Sequence, residues 1–197
     1  METKQSAEAI LMSDLEIIWE HLERDDSQFW RRSYCRTLMA LFEATIAYFA
    51  SNTLEYYDGV LGEAEKRSLR RRFGALTRAF DAFDLFTNVA GVSTPFARGS
   101  EEWLVLEKAI RIRNRVTHPT CAGDLEISDL DMAHLRITSD VVFRLTIQAQ
   151  RYVSRALLRK AQQIRKVWKE RAVPSVLKDA VTPARLKLRL NSRNAKR

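Results

Sequence analysis

Residues 37–54 read Thr37-Leu38-Met39-Ala40-Leu41-Phe42-Glu43-Ala44-Thr45-Ile46-Ala47-Tyr48-Phe49-Ala50-Ser51-Asn52-Thr53-Leu54, the least charged run in the chain. The run just reaches the length of a membrane span, yet it carries Glu43 mid-way and Ser51 and Asn52 near its end. A carboxylate at a bilayer centre costs a few kcal/mol, so the stretch reads as a buried core helix and not as a span. Leu38, Met39, Leu41, Phe42, Ile46, Tyr48 and Phe49 lie around most of its girth, which requires neighbours on several sides. The expected fold is therefore all-α, with this helix at the centre of a single bundle.

Working outward, Ser27 is a candidate N-cap for this helix, which should run to Tyr57 and close before Gly59 and Gly62. Before it, residues 8–23 space Leu11, Leu15, Ile18 and Leu22 as a helix that ends ahead of Asp25-Asp26-Ser27. After it, residues 63–87 carry a stripe of Leu69, Phe73, Leu76, Phe80 and Phe83, with Lys66, Arg67, Arg70, Arg71 and Arg72 crowding the start. A break follows at residues 88–99, with Gly91, Pro95 and Gly99. Ser100 before Glu101 and Glu102 opens a fourth helix, which Pro119 must stop at about Thr117. Ser128 with Asp131 opens the fifth, carrying Leu135, Val142, Leu145, Tyr152, Val153, Leu157, Ile164 and Trp168. Unbroken to Arg171 it would extend on the order of 65 Å, so it should overhang the bundle or bend near Thr138-Ser139. About five helices, a long C-terminal one and a basic tail make up the expected architecture.

Composition agrees. Apolar residues at 46% and charged residues at 29% suit a folded domain, and 6 Gly and 4 Pro are too few for a turn-rich β fold. The net charge of +8 favours an anionic partner. Residues 172–197 hold seven basic residues and one acid, a net of +6, leaving +2 for residues 1–171. The first 171 residues are expected to form the domain and the remainder a basic tail. Cys35 and Cys121 show no zinc or disulfide spacing, and no leader precedes the first helix, so a reducing cytoplasm is the expected compartment. No phosphate-loop or dinucleotide motif is present, and no cofactor or metal is implied.

Chemistry concentrates at one place. Of the three histidines, His21 and His134 read as ordinary helix residues, His21 at the surface. His118 closes the run Arg111-Ile112-Arg113-Asn114-Arg115-Val116-Thr117-His118-Pro119. Trp103, Leu106, Ile110, Arg113 and Thr117 follow at three- and four-residue steps, which puts Arg113 on the expected core-facing stripe. Arg111 falls one turn from Glu107 as an exposed pair. An arginine on a buried stripe needs a partner, and Glu43 is the only charge between Arg36 and Glu55. Arg32, Arg36 and Glu43 form a polar stripe on the second helix. A structural ion pair between two helices is the alternative role for these residues.

Arg113-Asn114-Arg115-Val116-Thr117-His118, at the end of a helix in an all-helical chain, resembles the Arg-X4-6-His motif of the HEPN superfamily. Pro119 stands where many members have Gly or Tyr. The resemblance implies a metal-independent endoribonuclease in which Arg113 holds a phosphate, His118 serves as acid or base and Asn114 orients them. It implies a homodimer that brings two motifs face to face, with RNA as substrate and Glu43, Arg36 and Arg32 as groove residues. Arg67, Arg70, Arg71 and Arg115 are the further basic residues expected to contact RNA, together with the tail. A toxin or anti-phage defence role, with an antitoxin or regulatory protein as partner, belongs to the same implication. So does the alternative of a non-catalytic RNA- or partner-binding module. No membrane partner is expected.

Overall fold

A computed structural model describes residues 6–70, 75–90 and 97–171. The fold is an all-α bundle with a long C-terminal helix. Six α-helices appear among the described residues: α1 (Ala7–Arg24), α2 (Gln28–Tyr57), α3 (Glu63–Leu69), α4 (Ala75–Ala90), α5 (Glu101–Thr117) and α6 (Asp129–Arg171). A 3-10 turn at Ala122–Leu125 joins α5 to α6. The chain divides into two units, Met1–Ser154 and Arg155–Arg197. The basic tail expected over residues 172–197 lies outside the described residues.

Within the first unit the helix ends follow the capping chemistry of the sequence. Ser6 Oγ accepts from the Ala9 amide at 3.2 Å, and Ser100 Oγ accepts from that of Trp103 at 3.2 Å after Gly99 turns the chain at φ 75°. At α6, Ser128 Oγ accepts from the Asp131 amide at 3.1 Å while Asp131 Oδ2 accepts from that of Ser128 at 3.2 Å, a reciprocal capping box. Ser27 stands at the α2 N-cap without a side-chain cap bond.

α2 is the central helix. It packs on α1, α3, α4 and α5, and buries Cys35, Leu38, Met39, Leu41, Phe42, Ile46, Phe49 and Ala50 on several sides. Each fully buried Phe or Leu contributes roughly 1.5–3 kcal/mol by leaving water. α1 lays Leu15, Ile18 and Leu22 against it. Phe49 joins three helices, with ring centroids 4.5 Å from Phe83 and 4.9 Å from Phe86 of α4, and 6.4 Å from Tyr152 of α6. Deeper between α2 and α6, the buried hydroxyls of Thr45 and Thr146 bond at 2.8 Å.

Two expectations change. The third expected helix is two: α3 stops at Leu69 with Arg70 as its C-cap, and α4 begins at Ala75. Residues 71–74, between the two, lie outside the described residues. Leu69 and Phe83 are buried as expected, but the α4 face is completed by Ala79, Ala82 and Phe86, while Leu76 and Phe80 are half-buried. Phe73 lies outside the described residues. Second, His21 is no plain surface residue: its ring stacks on Trp30 at 4.2 Å with an interplanar angle of 4°, joining α1 to α2. Of the two alternatives for the last helix, the unbroken one holds: α6 is continuous through Thr138 and Ser139, whose hydroxyls donate back to the His134 and Arg136 carbonyls.

Candidate functional site at the end of α5

α5 turns Leu106, Ala109, Ile112 and Val116 into the core. The buried face is thus rotated by about one residue from the expected stripe of Trp103, Leu106, Ile110, Arg113 and Thr117. Ile110 is half-buried and Thr117 exposed, and Arg113 sits on the rim with its side chain 29% exposed. This rotation keeps the guanidinium in contact with water, which avoids most of the cost of burying a charge.

At that rim Arg113 Nη2 donates to Glu43 Oε1 of α2, and Nη1 donates to the Asn114 side-chain carbonyl at 3.0 Å. The Glu43 side chain is 45% exposed, so the pair is a half-wet one. Arg111 pairs with Glu107 at 3.3 Å on the outer face.

His118 is the C-cap of α5, at φ −124° and ψ 62°, and its amide donates to the Asn114 carbonyl at 2.9 Å. The residue is exposed, and its imidazole makes no hydrogen bond or ion pair within the described residues. Pro119 ends the helix, and Asp124 folds the following turn by accepting from the Thr120 amide at 2.7 Å, its hydroxyl at 2.6 Å and the Cys121 amide at 3.1 Å. These bonds, the Thr120 hydroxyl foremost, hold the Asp124 carboxyl below the usual carboxylate range.

Four α2 side chains clamp this connection. Arg36 Nη2 donates to the Val116 carbonyl at 3.1 Å, and Arg32 Nη1 to the Leu125 carbonyl at 3.1 Å. Arg31 Nη1 donates to the Ile127 carbonyl at 2.9 Å, and the Gln28 amide takes both the Ile127 carbonyl and the Ile127 amide, at 3.0 and 2.8 Å. Arg31 is also bracketed by Asp26 and, at 2.7 Å, by Asp129, which raises its pKa. The Arg36 guanidinium at the Val116 carbonyl complements the negative end of the α5 dipole. Arg32 and Arg36, expected as groove residues, thus act on the backbone that positions His118.

The remaining expected residues do not gather here. Arg115 is held by Asp131 of α6 at 2.7 Å. Arg67 and Arg70 are exposed on α3 and its cap, and α3 packs on α2 and α4. Arg71 lies outside the described residues. His134, expected as an ordinary residue, hydrogen-bonds through Nε2 to the Val105 carbonyl at 2.9 Å and ties α6 to α5. Gln28, Arg31 and Asp124 are the residues at this corner that sequence reading does not single out.

Thr117, His118, Pro119 and Thr120 at this corner are exposed. A groove of about 660 Å³ lies elsewhere, lined by Leu15, Trp19, Tyr34, Ile137 and Phe143 among others, and takes no residue from α5. Among the described residues no group of three or more His, Cys, Asp or Glu side chains is placed to hold a metal ion. No described helix is long and apolar enough to cross a membrane. Comparison with protein-family models, curated proteins and solved structures returns no match.

Proposed function

We propose that the Arg113 corner is a HEPN-like endoribonuclease half-site that works without a metal ion and is completed by a second copy of the chain. One observation carries this reading: Arg113, Asn114 and Glu43 converge on the last turn of the helix that ends in the exposed imidazole of His118.

The chemistry asks for few groups. A base removes the proton of the RNA 2′-hydroxyl, the 2′-oxygen bonds to phosphorus, the bond from phosphorus to the 5′-oxygen breaks, and an acid protonates that oxygen. The products are a 2′,3′-cyclic phosphate and a 5′-hydroxyl. Arg113 has five N–H donors and spends two on Glu43 and Asn114, which leaves three for phosphate oxygens and developing negative charge. Glu43 fixes the guanidinium plane from α2. His118 supplies one proton-transfer group, and the His118 of a second copy supplies the other, giving the open corner its missing wall.

A second reading has its own observation. Both Nη atoms of Arg113 are already bonded within the chain, as in a structural joint, which suits a non-catalytic module that binds RNA or a partner protein. Purified protein incubated with single-stranded RNA in EDTA separates the two. Degradation that His118→Ala and Arg113→Ala each abolish supports the enzyme. RNA that is bound, with affinity falling steeply as salt rises, but stays intact supports the module. A defence or toxin role with a regulatory partner is the biological setting that suits a ribonuclease of this kind.

A further inference from the structure

We propose that the α6 segment from Arg155 to Val167 is a peripheral docking surface for an anionic lipid bilayer. This goes beyond the ribonuclease reading, does not depend on it, and departs from the sequence expectation of no membrane partner.

Charge is the first observation. Residues 155–171 hold seven basic residues and one acid, and residues 172–197 add seven and one, so the second unit carries fourteen against two. The chain totals 33 against 25, leaving 19 basic and 23 acidic residues, a net of −4, in residues 1–154. The positive charge of the protein therefore belongs to the second unit as a whole.

Exposed apolar surface is the second. Leu157, Leu158, Ile164 and Val167 are 46, 62, 51 and 43% exposed. Projected at about 100° per residue, Val167, Ile164, Leu157, Ala161 and Leu158 fill an arc of about 180°. Arg155, Gln162, Lys166 and Arg159 occupy the other half. Lys160 and Arg165 fall just inside the two edges of the apolar arc, where long side chains keep their stems in hydrocarbon and their heads among phosphates.

The arc width selects the partner. A helical protein partner is served by a narrow seam of about two positions in seven, whereas a flat boundary between hydrocarbon and headgroups covers half a helix. Nucleic acid would use the basic half and leave the leucines in water. A helix whose apolar half is uncovered and whose other half is basic fits the interface of a bilayer with acidic headgroups, each Lys or Arg near the surface adding attraction.

The test sediments the full chain with vesicles of phosphatidylcholine alone and with phosphatidylglycerol mixed in. Binding is expected only to the mixed vesicles, weakening with salt, and Leu158→Gln or Ile164→Gln should each weaken it about tenfold with helicity by circular dichroism unchanged. These substitutions leave the charge intact, so they separate insertion from adhesion by basic residues. No sedimentation with mixed vesicles, or sedimentation indifferent to both substitutions, overturns the proposal. So does a tenfold loss of RNA binding in the same variants with vesicle binding unmoved, which would assign the face to RNA.

Discussion

The guanidinium of Arg113, at the last turn of α5, is bonded to the carboxylate of Glu43 in the middle of α2. Seventy residues of sequence separate them, and the pair lies half-exposed at the edge of an apolar helix contact. The bond fixes where Arg113 points, and its energetic worth is modest because water reaches both partners. In a double-mutant cycle of Glu43→Gln and Arg113→Lys, urea unfolding should give a coupling of about 0.5–1 kcal/mol. RNA cleavage should fall far more than stability in Glu43→Gln, since positioning is the role assigned to the carboxylate. A coupling near zero would show that the pair adds nothing to stability.

Thr45 and Thr146 are unequal partners. The Thr146 hydroxyl donates to the Val142 carbonyl at 2.9 Å, which leaves the Thr45 proton to bridge the 2.8 Å between the hydroxyls. Thr146→Val strands a buried donor, while Thr45→Val removes only an acceptor's second bond. Chemical denaturation should find Thr146→Val destabilising by about 1–3 kcal/mol and Thr45→Val by less. The reverse order would mean that the proton lies on the other bond.

The two cysteines should differ in reactivity. Cys35 is fully buried in α2, and burial pushes its thiol up to about 12 against the opposing pull of Arg113 and Arg36. Cys121 is exposed beside the Asp124 turn. Iodoacetamide at mildly alkaline pH should therefore label Cys121 alone in the native protein and both thiols after unfolding, as read by intact mass. Native labelling of Cys35 would contradict the packing of α2 against α5.

Acid should weaken the fold through carboxylates whose pKa values are held low. Asp26 is lowered first by its hydrogen bond to Arg31, Asp58 by that to Lys66, and Asp124 by the Thr120 hydroxyl. A lowered folded-state pKa contributes stability above the unfolded value, near pH 4, which is lost as pH falls through the folded value. The melting temperature should drop as pH falls below about 4, and Asp124→Asn should flatten that drop. An unchanged slope in Asp124→Asn would remove this turn from the acid response.

Legibility in the sequence tracked how local each signal is. α5 is readable with both its ends, because Ser100 and Pro119 act within a turn of themselves, and α2 starts after Ser27 as expected although that hydroxyl makes no cap bond. Glu43 is readable as the partner of Arg113 because it is the only charge between Arg36 and Glu55. The face of α5 was misread by one residue, since Ala109 carries little hydrophobic signal although it sits fully buried in the contact. The end of α3 at Leu69 is hidden in the sequence by a stripe from Leu69 to Phe83 that keeps helical spacing throughout. Gln28 and Arg31 were missed because their partner Ile127 lies 99 and 96 residues away, and backbone carbonyls leave no mark in a pattern of side chains.

As proposed, the Arg113 corner cuts RNA with the 2′-hydroxyl as nucleophile. Incubating the protein in EDTA with a single-stranded RNA and with the same strand 2′-O-methylated throughout, and identifying the ends of any fragments, tests that step. The expected result is 2′,3′-cyclic phosphate and 5′-hydroxyl ends from the RNA, an intact methylated strand, and no fragments from His118→Ala. Equal cutting of the methylated strand, or wild-type cutting by His118→Ala, would contradict it.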